Sequence, residues 1–546
     1  MEAERSLINN EPKVTRVLMG TVVSSPSMLL NTESVRGCYF CFPDLSIRTE
    51  GRYRLRFSLF RLDGDGDPSD SSPRVVTHTF SDPFTVYSAK KFPGMTAEPV
   101  TMTDYPAKSH CHKVVKNLGV SEGLIYLRGF DIQLKGRADT ELPFFQDTNF
   151  YYLTGADEPG LEYIYNIAQD HGVLYVPKMP EDEVIWVGEQ ESLSELKAKY
   201  PVDEVQYTHA ISNQLTQSAA VTIYTLNNVD LKSLGDHRAR VNEAKLLPAI
   251  EEARMFKTPE EVEVMRRANQ ISSRAHAELM KYVRLGINER ELYAKFAFEC
   301  ATQGGLHQAY GGIVGRGTNA SILHYTKNSA DCDRKSDVVL VDAGCEYQGY
   351  ASDITRVFPV GKQFTPEARD IYSIVLDMQK TVLKNIAPGV EWEDMHRLAT
   401  KVCAEGLLRL GVLHGKIDDI LKHHVAAVFF PHGLGHSIGL DVHDVAGYPK
   451  GVQRIDEPGI RNLRMRRTLQ PGMVVTVEPG CYFVKPLLEL AFADPQQAQY
   501  IDRAVVDKYM NVGGVRIEDS VLVTETGHDN LTTVPKEIEE VEALRQ

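Results

Sequence analysis

Nowhere in the 546 residues does an apolar run approach the roughly eighteen that a membrane helix needs. The opening MEAERSLINNEPK has no apolar core of the kind a secretory leader carries. Neither a membrane partner nor secretion is therefore expected, and a cytoplasmic location is. Cysteine is sparse, with eight residues that lie far apart except for Cys38 and Cys41, so a disulfide-stapled scaffold is excluded and reduced thiols are expected. Positive charge is also short, 60 basic against 74 acidic residues, and the net −14 offers no footprint for nucleic acid or an anionic membrane. Repeats of about 20–50 residues and low-complexity tracts are absent, which removes solenoids and disordered arrays. The Gly-rich GGIVGRGTNAS (311–321) has neither G-x-G-x-x-G spacing nor a G-K-[ST] ending, so it is no phosphate cradle.

What is present is an ordinary soluble composition, 42% hydrophobic and 25% charged, in a chain long enough for about three or four domains. Three segments differ in character. Residues 1–97 read as β, with alternation through Tyr53, Leu55 and Phe57 and a turn at Gly51. In this segment CYFC (38–41) lacks a second C-x-x-C and reads as core, and DGDGDPSD (63–70) departs from a calcium loop at Pro68 and Arg74 and reads as a solvated turn. Residues 98–250 alternate strand-like runs (Leu124–Tyr126, Gly172–Val176, Val184–Val187) with amphipathic stretches, as an α/β domain does. Residues 251–546 open on a helix start: Thr258 as N-cap, Pro259 at the first position, Glu261 closing a capping box, and a stripe from Val264 to Leu279. The fold class that follows is α+β.

FPHGLGHSIGLDVHD (430–444) gathers His432, His436 and His443. A metal site, a catalytic set and three satisfied histidines are all open readings, although the glycines between His432 and His436 rule out a helical H-E-x-x-H zinc motif. Acids at strand positions narrow the choice. In VVLVDAGCEYQGYASDITRVF (338–358), a hairpin centred between Tyr347 and Gln348 would set Asp342 opposite Asp353. Like charges so placed repel and need a proton or a cation between them. Glu478 ends MVVTVEPG, and Glu518 follows Arg516 on the same strand face in GGVRIEDSVLV. Four carboxylates and one imidazole form an oxygen-rich set that could hold two divalent ions and suits Mn²⁺ better than a thiolate-type zinc site does.

Asp342, Asp353, His436, Glu478 and Glu518, in that order and context, resemble the five metal ligands of the pita-bread metallopeptidases, in their Xaa-Pro branch. FFQDTNFYYLTGADEPG, NASILHY, GLDVHDVAGYPKGVQRIDEPGIRNLR and LQPGMVVTVEPGCYF carry the same resemblance from about residue 99 onward. It implies a pita-bread catalytic domain behind an α/β N-terminal domain, two divalent ions per subunit, most simply Mn²⁺, and a homodimer. It also implies an exopeptidase that cuts between an N-terminal residue and a penultimate proline in small peptides. His324 and His443 would be catalytic histidines that do not bind metal, and Glu478 would double as ligand and proton shuttle. Tyr310, His432, Arg464 and Arg516 would serve the substrate, Arg464 by meeting a dipeptide carboxylate. A non-catalytic pita-bread binding protein is the alternative, but broken ligands would be expected there.

A second resemblance covers residues 14 to about 95: FCFPDLSIRTEGRYRLRFSLF and FSDPFTVYSAKKFPGM are similar to the C-terminal part of the fungal velvet domain. The complete domain binds DNA. Here only a truncated β-rich segment of near-neutral charge is present, so a velvet-type regulator is a weaker reading and no nucleic-acid partner is expected.

Overall fold

The structure is a computed structural model that describes residues 105–545, except Ala138, Ala219 and Asn228, and the backbone of the strands between Arg5 and Val86. The chain divides into two compact units, Met1–Pro99 and Val100–Gln546. The side chains of Cys38 and Cys41 and the 63–70 turn lie outside the described residues.

In the first unit the described strands form only two-stranded antiparallel sheets, among them Pro26–Leu30 with Arg36–Phe40 and Arg56–Arg61 with Arg74–Phe80. Gly51 begins the strand Gly51–Tyr53, paired with Phe84–Val86, rather than marking a turn. Sheets of two strands leave both edges open and bury little by themselves.

The second unit begins with a mixed six-stranded sheet in the order Glu204–Tyr207, His171–Val176, Glu162–Asn166, Leu124–Arg128, Ile223–Tyr224, Val241–Asn242. Its three middle strands are antiparallel and its outer ones parallel, as α/β crossovers require. Helices Ala107–Leu118 and Leu246–Met255 pack together beside it, the second running through residue 250. One expected strand is not there. Val184–Val187 is a single helical turn with Ile185 79% and Trp186 81% exposed. Four apolar residues are too few to fix a period, and with no strand beside them the backbone closes its own bond from Gly188 N–H to the Val184 carbonyl.

Residues 256–545 hold a sheet of Ile313–Arg316, Val338–Asp342 and Thr355–Pro359 and a second of Val474–Val477, Asp519–Val523 and His528–Asn530. Long helices Pro259–Tyr282, Pro366–Asn385 and Trp392–Arg409 bury their apolar stripes in the same core. The first starts as its sequence dictates: Thr258 accepts from Glu261 N–H while the Glu261 carboxylate accepts from Thr258 N–H. A bridge between Thr355 and Glu518, with Glu518 N–H donating to the Thr355 carbonyl at 3.1 Å, joins the two sheets where their acids lie.

Candidate active site

The hairpin register differs from the sequence expectation by two residues. Tyr347 pairs with Tyr350, and Asp342 faces Thr355 rather than Asp353. The turn residues are Gln348 and Gly349, both at positive φ (47° and 76°), and a two-residue turn of that hand calls for glycine inside it, not after it. Because the displacement is even, Asp353 stays on the face of Asp342. The Tyr310 hydroxyl reaches both, 2.7 Å from Asp342 Oδ1 and 2.5 Å from Asp353 Oδ1.

His436 is held by the neighbouring strand. The Thr476 amide donates to the His436 carbonyl and the Glu478 amide to that of Leu434, so the HGLGH segment runs alongside Val474–Val477. The approach is close enough that a Cβ on Gly435 would stand 2.0 Å from the Thr476 carbonyl oxygen, which is why glycine occupies that position. His436 Nδ1 lies 3.0 Å from the Ser437 carbonyl, which makes Nδ1 the protonated nitrogen and leaves the Nε2 lone pair aimed at carboxylates. Nε2 is 3.4 Å from Asp353 Oδ2 and 3.5 Å from Glu478 Oε1. Ligand atoms of Asp353, His436 and Glu518 all fall within 4.8 Å of one another.

A cluster of acceptors facing acceptors is not stable by itself. Burial and then Asp342 push the Asp353 carboxyl up to about 8. Burial and the neighbouring acids drive Glu478 and Glu518 well above the usual carboxylate range. The group demands positive charge, and Arg516 supplies one unit of it: fully buried, it donates to Asp342 Oδ2 at 2.5 Å, the Tyr482 hydroxyl at 2.9 Å and Thr355 Oγ1 at 3.0 Å. One guanidinium against four acids leaves a deficit that divalent cations fit, with hard oxygen donors and one neutral imidazole as their ligands.

The remaining expected residues divide into two groups. His432 is half-buried, its Nε2 2.9 Å from the Tyr482 hydroxyl and its Nδ1 3.9 Å from Glu478. Burial, then Arg516, lowers it to about 3, so it stays neutral at pH 7. His443 is exposed, with its ring edge-to-face on His436 at 4.5 Å. His324 and Arg464 are exposed and have no side-chain partner among the described residues, yet both lie near enough to His443 to add to the burial that disfavours its protonation. The other arginines of that stretch are engaged: Arg454 with the Leu463 carbonyl, Arg461 with Asp456, Arg466 with Glu393, Arg467 with Glu252.

Sequence reasoning missed Thr355, Tyr482 and a buried charge cluster. Thr355 Oγ1 donates to Glu518 Oε2 at 2.7 Å, and Tyr482 links His432 to Arg516. Arg254 reaches back to Thr148 and Asn149 and, with Lys257, clamps Asp444 at 2.7 and 3.0 Å, which fixes the loop that carries His443. The alternation Asp353, Thr355 would have placed Thr355 on the acidic face, whereas nothing local marks the Arg254 contact, 190 residues distant.

Comparison with known proteins gives the same picture. The model of metallopeptidase family M24 matches residues 263–525, that of the aminopeptidase P N-terminal domain 108–224, and that of the velvet factor 1–102. The human Xaa-Pro dipeptidase is 42% identical over 447 residues, 79% of this chain and 91% of its own. A probable Xaa-Pro aminopeptidase of Botryotinia fuckeliana is 44% identical over 445 residues, 81% and 96% of the two chains. The structure of Escherichia coli aminopeptidase P with the inhibitor Pro-Leu superposes with a TM-score of 0.68 at 33% identity, covering 80% of this chain and 98% of that one. The fold is accordingly the α+β pita-bread arrangement behind an α/β N-terminal domain, and this chain belongs to metallopeptidase family M24, on the branch of the Xaa-Pro dipeptidases and aminopeptidases P.

Proposed function

We propose that the chain is an exopeptidase that hydrolyses the bond between an N-terminal residue and a penultimate proline, built as three parts, 1–97, 98–250 and 251–546. The observation that carries this reading is the convergence of Asp353, His436, Glu478 and Glu518, with Asp342 beside them, in one buried, charge-deficient cluster. These five would hold two divalent ions, Mn²⁺ by the hardness of the donors, and such ions supply Lewis acidity and lower the pKa of water at the site.

The residues around them account for the rest. A peptide bond to proline has no N–H, so a site for it cannot rely on that donor, and the leaving ring nitrogen must be given a proton. Glu478, 3.5 Å from His436 and 3.9 Å from His432, would take a proton and pass it on. His324 donates to the carbonyl oxygen as it gains charge, and His443, braced by Asp444, steadies the substrate. His432, Tyr482 and Arg516 hold the pocket wall, while Tyr310 spans the two aspartates that its phenol contacts. Arg464, whose side chain has no partner among the described residues, meets the carboxylate of a dipeptide.

We further propose a homodimer, supported by the exposed apolar turn Val184–Val187. The reading places the enzyme in the cytoplasm; among the described residues no helix is long and apolar enough to cross a membrane. Assay of the Mn²⁺-loaded protein on Gly-Pro, Ala-Pro and an Xaa-Pro tripeptide tests the function. Cleavage before proline is expected, and cleavage of Gly-Leu with none of Gly-Pro would refute it.

A further inference from the structure

His324 lies near His432 and His443, yet its side chain has no partner among the described residues, so its place there is set by the backbone that carries it. That backbone is the connection between the strands Ile313–Arg316 and Val338–Asp342, with a short 3₁₀ turn at Gly317–Ser321 and a second turn closed from Tyr325 N–H to the Ile322 carbonyl at 3.2 Å. Irregular backbone of this kind is held by whatever its polar groups meet.

Both flanks of His324 meet the same group. Glu289, the first residue of the helix Glu289–Ala301, is 0% exposed, and its carboxylate accepts four hydrogen bonds from this one segment. Oε1 accepts from the Arg316 amide at 2.9 Å and from Asn319 Nδ2 at 3.0 Å; Oε2 accepts from the Tyr325 hydroxyl and the Ala330 amide, each at 2.8 Å. Four donors fill the lone-pair positions that a carboxylate offers. The helix does not need Glu289 as a cap, because Asn288 and Glu291 form the capping box. On its other side the loop rests on the strand that leads to the candidate metal ligands. A Cβ on Gly513 would stand 2.0 Å from the Gly317 carbonyl oxygen and one on Gly514 2.6 Å from that of Ala320, so the loop base lies directly on the backbone that continues into Arg516 and Glu518.

We propose that Glu289 is a positioning residue for the reaction: its carboxylate holds the loop 316–330 so that His324 stands where the substrate carbonyl oxygen gains charge. The proposal rests on the reading of His324 as the donor to that oxygen. A donor of this kind acts only when it is aimed in advance at the place where charge develops, so a slackened loop costs turnover rather than substrate binding.

The test is a double-mutant cycle in the Mn²⁺-loaded full chain, reading kcat and KM for Gly-Pro together with metal content and the circular dichroism spectrum. Glu289→Gln keeps the size of the side chain but turns one acceptor into a donor that faces donors, and Tyr325→Phe removes one of the four bonds and leaves the ring in place. Each should lower kcat, Glu289→Gln by about tenfold or more, with KM within about threefold and metal content native. In a His324→Ala chain the same substitutions should change kcat by less than about twofold, because a donor that is gone cannot be misplaced. If His324→Ala is slow and both substitutions cost as much in its background as in the native chain, Glu289 serves the fold alone and the proposal is overturned. If His324→Ala keeps the native kcat, it is the reading of His324 that fails, and the proposal falls with it. Should Glu289→Gln not fold, Tyr325→Phe carries the cycle, and a native kcat in that variant would overturn the proposal.

Discussion

Thr355 and Tyr482 carry no charge, yet their hydroxyls join Glu518, Arg516 and His432 into one network. Residues of this kind are hard to read from sequence, because a hydroxyl becomes informative only when its neighbours in space are known. The acids were legible for the opposite reason: a carboxylate at the end of a strand of Val and Ile is costly to bury, so its presence already signals a compensating charge. His436 and His443 were legible as a cluster but not in their separate placements, which depend on Ser437 and Asp444. Arg464 stands close to Arg461, Arg466 and Arg467, and in the sequence only the family resemblance singles it out; in the fold its side chain has no partner among the described residues, whereas theirs are engaged. Arg464→Ala should therefore weaken Gly-Pro hydrolysis by about 2 kcal/mol, the worth of a charge-assisted pair, and hydrolysis of an Xaa-Pro tripeptide much less. Equal kcat/KM losses on the two substrates would show that Arg464 does not meet a dipeptide carboxylate.

At the scale of elements, the helix at Thr258–Tyr282 was legible to the residue at its start, because a capping box and an N-terminal proline are local chemistry. The hairpin was legible in type and in which face the aspartates share, but not in register, which the left-handed pair Gln348–Gly349 decides. Tyr151 from the N-terminal domain braces that turn, its hydroxyl donating to the Gln348 carbonyl at 3.0 Å, a contact no reading of residues 338–358 could supply. Val184–Val187 was misread as a strand, and the error is informative: side chains that would bury themselves in a sheet stand in water instead. Exposed Ile185 and Trp186 on one turn are the kind of patch that a second subunit covers. Trp186→Lys should shift a sedimentation profile from dimer toward monomer with an unchanged circular dichroism spectrum; a native chain that sediments only as monomer would exclude the dimer.

For the whole molecule, buried ionisable groups set the response to acid. Burial holds His276 and His396 down to about 4, below the roughly 6.5 of the unfolded chain. Between these values the unfolded state binds more protons, so stability is full above about pH 6.5 and falls as pH drops to 4, by on the order of 3 kcal/mol per histidine. Burial raises the carboxyls of Glu261 and Asp519, but His110 and Lys113 on the one and Arg356 and Lys536 on the other outweigh it and hold both at about 2. Their contribution is present above the unfolded carboxylate range and is lost as pH falls through 2, which extends the decline. Thermal midpoints should drop steadily from pH 7 to 4, and a flat profile would contradict the burial of these histidines as neutral groups. The velvet-like segment was legible as β but not as a fold, since its described strands pair only in twos. Every candidate site residue lies in the unit Val100–Gln546, so a chain beginning at Met95 should fold and keep kcat and KM within a few-fold of the full chain. Loss of solubility or activity on removing residues 1–94 would show that segment to be integral. The central claim is that five side chains hold two catalytic ions, and metal content measured alongside Gly-Pro turnover tests it most directly. The native chain should bind two Mn²⁺, lose activity on chelation and regain it on Mn²⁺ addition, while Asp353→Asn binds fewer ions and loses nearly all turnover; full activity in metal-free protein would contradict the account.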